Sequence, residues 1–148
     1  MSVRVGKYAG FCFGVDRAVK LGEESASQGK RVCTLGPIIH NRHVVERFET
    51  MGVRVIEKPE DACAGETVII RAHGISKEAE QKLSSMDVEV VDATCPFVKR
   101  IHKIVSAARE EGKLPVVIGT PDHPEVVGIA SWGPEGYVFE TAQELEKW

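Results

Sequence analysis

Short apolar runs rich in valine and isoleucine alternate along the chain with segments in which apolar residues recur every three or four positions. The first pattern is typical of buried strands and the second of amphipathic helices. Helical faces begin at Val15, Val44 and Val98. Regular alternation of the two patterns predicts an α/β fold of repeated strand-loop-helix units with mostly parallel sheets. The runs predicted to form strands are RVGKY, RVCTL, VRVIE, TVIIR, VEVVD, PVVIG and GYVFE.

A weak internal repeat runs through these units. An apolar strand is followed by a short loop, then by one histidine or cysteine, and then by the start of a helix. Ligands of open parallel sheets bind outside the carboxyl ends of the strands. We therefore expect the repeated residues to lie at one functional edge, and they are Cys12, His40, His73, Cys95 and His123.

The two cysteines of this repeat differ in local context. Pro96 favours the first position of a helix, which would make Cys95 the cap residue, beside unpaired N–H groups that favour a metal-binding thiolate. Cys12 lies between glycines in GFCFG, and its local sequence leaves packing and metal ligation equally open. Cys33 lies within a predicted strand and Cys63 in a predicted loop, so we expect both to be structural.

A single histidine beside a loop is more often a polar surface residue than a ligand. Three at equivalent places, next to helix starts, instead suggest a site for a small phosphorylated anion. His43 and His102 lie within helices and are predicted to face solvent. Glu125 falls in the first turn of a helix, where the helix dipole alone favours a carboxylate, although it could also donate protons beside a bound anion.

The composition of the chain further narrows the classes of function that it could have. The 148 residues carry a net charge of −3 without a basic run, which argues against nucleic acid as a partner. No apolar stretch is long enough for a signal peptide or a membrane span, so a cytoplasmic location is the default. The four cysteines include no C-x-x-C pair, and neither a G-x-G-x-x-G nor a P-loop pattern is present.

Five segments together resemble 4-hydroxy-3-methylbut-2-enyl diphosphate reductase, the LytB/IspH family: GFCFGVDRAV, GPIIHNRHVVERFETMGVRVIE, RAHGIS, VVDATCPFVKRIHKIV and HPEVVGI. The resemblance implies three similar α/β domains around a [4Fe–4S] cluster, with one cysteine from each. It implies that Cys12 and Cys95 are cluster ligands, with the third cysteine outside this chain. It further implies that His40, His73 and His123 contact the substrate diphosphate and that Glu125 delivers protons.

The implied reaction is the reductive dehydroxylation of an allylic diphosphate to isopentenyl and dimethylallyl diphosphates, with electrons from a ferredoxin or flavodoxin type donor. Family members are nearly twice as long. We therefore expect a first α/β domain over residues 1–93, an incomplete second over 94–148, and no third, so that the chain is a fragment. Two alternatives stay open: a zinc- or phosphate-binding module without catalysis, and an inert structural fragment.

Overall fold

The chain folds into alternating helices and strands, and the predicted α/β class is confirmed. The computed structural model describes residues 2–133 and 137–148, without the side chain of Arg109. All strand pairs in these residues are parallel. The elements, in chain order, are α1 (Phe13–Ser27), β1 (Val32–Leu35), α2 (Arg42–Thr50), β2 (Arg54–Ile56), a 3-10 turn (Pro59–Asp61), β3 (Thr67–Ile70), α3 (Lys77–Ser84), β4 (Glu89–Asp92), α4 (Pro96–Glu110), β5 (Val116–Ile118), α5 (Pro124–Ser131), β6 (Tyr137–Phe139) and α6 (Ala142–Lys147).

The strands form two sheets. The larger sheet has the order β2-β1-β3-β4, and β5 pairs with β6 in the smaller one. In the larger sheet Val32 lies opposite Thr67, which in turn lies opposite Glu89. The carboxyl ends of β1, β3 and β4 therefore meet at one edge. The expected domain boundary after residue 93 falls between the two sheets and stays a prediction.

The central strands β1 and β3 are buried along their whole length, because helices cover both faces of the larger sheet. One face packs against α1 and α2 through Ala18, Phe48 and Ile69. The other face packs around Cys33 and Leu83. Burial raises the pKa of the Cys33 thiol to about 11, which keeps it protonated. Cys33 is thus a core residue, as predicted.

Polar contacts join the loop after β3 to the helices of the smaller sheet. The indole Nε1 of Trp132 donates to the carbonyl oxygen of Ile75 at 3.1 Å. The backbone N–H of Lys77 donates to Ser131 Oγ at 3.0 Å. Ile75 and Lys77 both lie where α3 begins, so these bonds fix the end of α5 against the start of α3.

One predicted strand does not form. The RVGKY segment, residues 4–8, has no strand structure, and Val3 and Val5 are 89% and 81% exposed. A strand needs a neighbour to pair its backbone N–H and C=O groups. No other described strand pairs with this segment, so its apolar alternation alone is insufficient.

The prediction that His102 faces solvent is wrong. Its side chain is only 6% exposed, and its ring stacks on Trp132 with centroids 5.1 Å apart. The helical spacing of Val98, His102 and Val105 places all three on the buried face of α4. Ile101 and Ile104, which the apolar spacing from Val98 would place on the same buried face, are instead 38% and 60% exposed.

The final segment forms the short helix α6. Thr141 caps it, accepting a hydrogen bond from the Glu144 N–H at 3.2 Å. Among the helices described here, none combines the length and apolar character that crossing a membrane requires.

Candidate active site

Three histidines from three different loops meet at the strand ends. His40 follows β1, His73 follows β3 and His123 follows β5. The ring centroids of His40 and His73 are 4.4 Å apart, and each lies 6.0 Å from that of His123. These three residues are called the histidine cluster below. The sequence repeat therefore does bring its three histidines together.

Backbone contacts hold the loops of the cluster in place. The Ala72 N–H donates to the Ile38 carbonyl at 3.1 Å, which ties the loop of His73 to the loop of His40. His123 is the N-cap of α5, where its Nδ1 accepts the N–H of Glu125 at 3.2 Å. Because Nδ1 acts as an acceptor, the neutral ring of His123 carries its proton on Nε2.

His73 is the unusual member of the cluster. Its Nδ1 is buried and has no hydrogen-bond partner among the described residues. Burial is the main cause, and the nearby charges of His40, Arg71 and His123 add to it, so that together they lower the pKa of His73 to about 4. His73 is therefore neutral near pH 7. An anion at the cluster would offer this ring both a partner and a reason to take up a proton.

Two helix N-termini lie beside the cluster. His40 directly precedes Asn41, the N-cap of α2, whose side chain accepts the Val44 N–H at 3.3 Å. His123 caps α5, and Glu125 lies in its first turn, partly buried. Helix N-termini favour negative charge through their dipoles and free N–H groups. The geometry thus suits a small anion, with one carboxyl group next to it.

The two predicted cysteine ligands lie at the starts of two helices. Cys12 is the exposed N-cap of α1, and its side chain makes no capping hydrogen bond. Cys95, partly buried, immediately precedes α4. A Cβ atom placed on Gly14 would lie 2.5 Å from Cys95 Sγ, so only glycine allows α1 to approach this sulfur. This pair is called the cysteine pair below.

The cysteine pair and the histidine cluster belong to one region. The Cys95 N–H donates to the carbonyl oxygen of Ala72 at 2.9 Å, and Ala72 directly precedes His73. Of the five repeated residues, His40, His73, Cys95 and His123 follow the carboxyl ends of strands. Cys12 does not, because its predicted strand is missing, and it reaches the region from α1 instead.

Thiolates suit soft metal centres such as iron–sulfur clusters, so the chemistry of the pair fits the implied cofactor. Gly14 leaves space beside Cys95 Sγ that a larger residue would fill. Within residues 2–133 and 137–148, no group of three or more histidine, cysteine, aspartate or glutamate side chains could hold a metal ion. The described residues thus fit part of a ligand set, to which they contribute two cysteine sulfurs.

Two arginines at this edge were missed by sequence reasoning. Arg17 donates to the carbonyl oxygens of Thr94 and Asp92 at 3.2 and 3.3 Å. Arg71 donates through Nε to the Gly74 carbonyl at 3.4 Å, and burial lowers its pKa. Arg17 lies three residues after the buried Gly14, and Arg71 ends an apolar strand. A charged residue at either kind of position indicates a side chain that takes part in tertiary hydrogen bonds.

The remaining predicted residues lie apart. The side chain of His43 is 93% exposed on α2, in agreement with its prediction. Cys63 is exposed in a loop. A cavity of about 340 Å³ lies between α4 and the larger sheet, lined in part by Asp92 and His102. None of the six predicted site residues lines this cavity, so it is separate from the candidate site.

Parallel strands whose ends gather three imidazoles, beside two cysteines at helix starts, define an α/β protein with a candidate site at this edge. The chain belongs to the LytB protein family, whose pattern matches residues 3–148. The family expected from the sequence segments is thereby confirmed.

Individual relatives agree. The chain is 45% identical over 148 residues to 4-hydroxy-3-methylbut-2-enyl diphosphate reductase of Oleidesulfovibrio alaskensis, covering 99% of this chain and 53% of that protein. It is 45% identical over 151 residues to the reductase of the same name from Aquifex aeolicus, covering 98% of this chain and 52% of the relative. The chain thus spans about half the length of the curated relatives that it matches.

Solved structures agree with the fold. A structure of (E)-4-hydroxy-3-methyl-but-2-enyl diphosphate reductase, described as the terminal enzyme of the non-mevalonate pathway, superposes with a TM-score of 0.83 at 43% identity, covering 98% of this chain and 53% of that one. The E-1-hydroxy-2-methyl-but-2-enyl-4-diphosphate reductase from Plasmodium falciparum superposes with a TM-score of 0.91 at 30% identity, covering 96% of this chain and 45% of that one.

Proposed function

We propose that this chain is the N-terminal portion of an iron–sulfur reductase that converts 4-hydroxy-3-methylbut-2-enyl diphosphate to isopentenyl and dimethylallyl diphosphates. The observation that carries the proposal is the direct contact between the two halves of the site. The Cys95 N–H bonds to the carbonyl of Ala72, next to His73. A substrate whose diphosphate is held by the histidine cluster would therefore lie beside the thiolates.

In this proposal the histidine cluster binds the diphosphate. His40, His73 and His123 provide up to three N–H donors from rings whose centroids lie 4.4–6.0 Å apart. Helices α2 and α5 add positive potential from their N-termini. Proton uptake by His73 on binding adds charge that the free protein lacks, since its pKa is about 4 without ligand.

Cys12 and Cys95 would hold two irons of a [4Fe–4S] cluster, and the third cysteine ligand lies outside this chain. Such a cluster, when bound, supplies electrons and one open iron that acts as a Lewis acid. The exposed Cys12 sulfur, free of capping contacts, and the Cys95 sulfur beside Gly14 are both available as ligands. Electrons would come from a ferredoxin or flavodoxin type donor.

Glu125 would deliver protons to the substrate. Its backbone N–H donates to His123 Nδ1, which keeps the residue next to the histidine cluster. A carboxyl group in this place can reach an anion held by the neighbouring imidazole. The four free cysteines agree with a reducing cytoplasm, which is the location we propose.

Isothermal titration of this chain with inorganic diphosphate tests the binding step. We expect saturable binding by the unmodified chain, and an affinity at least about tenfold lower for His73→Asn, because charge-assisted hydrogen bonds contribute about 1.5–3 kcal/mol each. His43→Asn is the matched control, since this histidine is exposed on α2, outside the cluster. Equal affinities for the two variants would refute diphosphate binding by the histidine cluster.

A second function stays in view, an anion- or zinc-binding module without catalysis. It is favoured by the completeness of the histidine cluster within residues that supply only two thiolates. Iron and acid-labile sulfide separate the two functions, because a zinc or phosphate module incorporates neither. Anaerobic reconstitution followed by metal and sulfide analysis gives the answer.

A further inference from the structure

The spacing of the cysteine pair depends on contacts between separate elements. Cys12 is carried by α1, whereas Cys95 is carried by the loop between β4 and α4. The two residues are 83 positions apart in the sequence. A metal centre shared by both sulfurs needs α1 and this loop to keep a fixed relative position.

Arg17 is the side chain that bridges the two elements. It lies in the second turn of α1, and its Nη1 donates to the Thr94 carbonyl at 3.2 Å. Its Nη2 donates to the Asp92 carbonyl at 3.3 Å. A planar guanidinium with several donors can hold both oxygens at once, which a lysine ammonium on a flexible stem does less well.

These bonds act on the peptide unit that carries Cys95. The carbonyl of Thr94 and the N–H of Cys95 belong to the same planar peptide group. Arg17 holds the carbonyl, and the Ala72 carbonyl accepts the N–H at 2.9 Å. With both polar groups of the peptide fixed, the direction in which Cys95 leaves the backbone is fixed as well.

The preceding turn is braced separately. The Thr94 N–H donates to Asp92 Oδ1 at 2.9 Å, and Lys99 forms an ion pair with the same carboxylate. Thr94 itself is only 4% exposed. The loop therefore keeps its own local shape, and the contribution specific to Arg17 is its attachment to α1, where Cys12 and Gly14 lie.

We propose that Arg17 is a positioning residue that fixes Cys95 relative to Cys12 and so governs retention of the thiolate-bound centre. The identity of that centre rests on the function proposed above. Arg17 touches neither sulfur in this role and acts through the carbonyl oxygens of Asp92 and Thr94. Its removal should loosen Cys95 and leave Cys12, which is already exposed, unaffected.

The first test needs no metal. This 148-residue chain is alkylated with iodoacetamide under reducing-agent-free anaerobic conditions, and each cysteine is followed by peptide mass spectrometry. In Arg17→Met, which keeps the apolar stem, we expect Cys95 to react at least about fivefold faster, because two hydrogen bonds to its loop are gone. Buried Cys33 reports general unfolding, and its rate should not change.

Lys20→Ala is the matched control, because Lys20 lies on the same helix and forms only an exposed pair with Asp16. It should leave the alkylation rate of Cys95 unchanged. Arg17→Lys should give an intermediate rate, and it decides the question if Arg17→Met does not fold. An unchanged Cys95 rate in the deciding variant, relative to Lys20→Ala, would overturn the proposal.

The second test measures retention of iron. After anaerobic reconstitution with iron, sulfide and a small thiol to complete the ligand set, iron loss to a chelator is timed. We expect loss about tenfold faster in Arg17→Met than in Lys20→Ala, the scale for a lost outer contact of a metal ligand. Equal rates would overturn the proposal. If the unmodified 148-residue chain takes up no iron, as a ligand set with two cysteines allows, the alkylation rates alone decide the role of Arg17, and the cofactor is tested in the extended protein.

Discussion

The histidine cluster and the cysteine pair lie side by side, yet they are built to different degrees of completeness. All three rings of the cluster are present and within 4.4–6.0 Å of one another. The cysteine pair offers two thiolates, and the described residues contain no set of three metal ligands. The proposed anion site therefore has all three of its histidines within these residues, whereas the proposed metal site needs a further metal-binding side chain.

The difference follows from the way each part is assembled. The cluster is carried by loops that follow β1, β3 and β5, and the backbone bond from Ala72 to Ile38 ties two of those loops together. The cysteine pair joins a helix start to a strand end, and its geometry relies on Gly14 and Arg17. Binding of the anion and binding of the metal can therefore be separated experimentally.

The largest expected effect concerns Glu125, the group proposed to deliver protons beside the histidine cluster. In a protein extended to the length of the relatives, Glu125→Gln should lower turnover about 10²-fold or more while substrate still binds, since the amide keeps the shape but lacks the acid. Anaerobic turnover with a chemical reductant measures this. If Glu125 only interacts favourably with the helix dipole, turnover of Glu125→Gln stays normal and the stability of this variant falls by about 0.3–1 kcal/mol.

The next effect separates ligand binding by His123 from its capping of α5. His123→Asn keeps a good N-cap but removes the imidazole, so we expect about tenfold weaker diphosphate binding with an unchanged melting temperature. His123→Ala should weaken binding similarly and also cost about 0.5–2 kcal/mol of stability. Calorimetry and thermal melts of both variants check this, and full affinity in His123→Asn would remove His123 from the anion site.

A smaller effect appears in the pH dependence of binding. Because the pKa of His73 is about 4 in the free protein, an anion that raises it causes proton uptake. Affinity for inorganic diphosphate should therefore rise as the pH falls from 8 to 7, by up to about tenfold per proton taken up. Calorimetry in buffers of different ionisation enthalpy counts the protons. His73→Asn should take up fewer protons than the unmodified chain when diphosphate binds. Equal proton uptake by the two proteins would contradict a role of His73 in this pH dependence.

The smallest effect concerns the stability of the ligand-free chain. The pKa of His73 falls from an unfolded value of about 6.5 to about 4 on folding. The unfolded chain therefore binds the extra proton between these values, and stability is lost as the pH falls from about 6.5 to about 4. The full shift corresponds to about 3 kcal/mol, and solvent screening of this partly exposed ring reduces the expected loss to roughly 2 kcal/mol. Urea titrations at several pH values should show that the free energy of unfolding changes less with pH in His73→Asn than in the unmodified chain. In His43→Asn this pH dependence should be unchanged.

Much of this arrangement is readable from the sequence, because strand ends and helix starts follow local patterns. The units after β1, β3 and β5 carry a histidine at similar positions, and this spacing was enough to predict that they meet. The same reasoning failed for residues 4–8, where apolar alternation was present without a neighbouring strand to complete the backbone bonds. It also failed for His102, since a polar residue on a helix gives little indication of which face is buried.

The contacts of Arg17 and Arg71 could not be predicted because they depend on tertiary geometry. Arg17 bonds to carbonyl oxygens 75 and 77 positions away, and no local pattern specifies such partners. The closeness of Gly14 to Cys95 Sγ is likewise a product of how α1 lies on the sheet. Local sequence therefore indicated which residues take part, and the fold determined how they are held.

The most direct test of the central proposal is anaerobic iron and sulfide analysis of this chain beside a version extended to the length of its relatives. We predict a stable cluster close to four iron and four sulfide per chain in the extended protein, at most a labile one in the 148-residue chain, and neither in Cys12→Ser or Cys95→Ser of the extended protein. Full iron and sulfide in those two variants would contradict the assignment of the cysteine pair as cluster ligands.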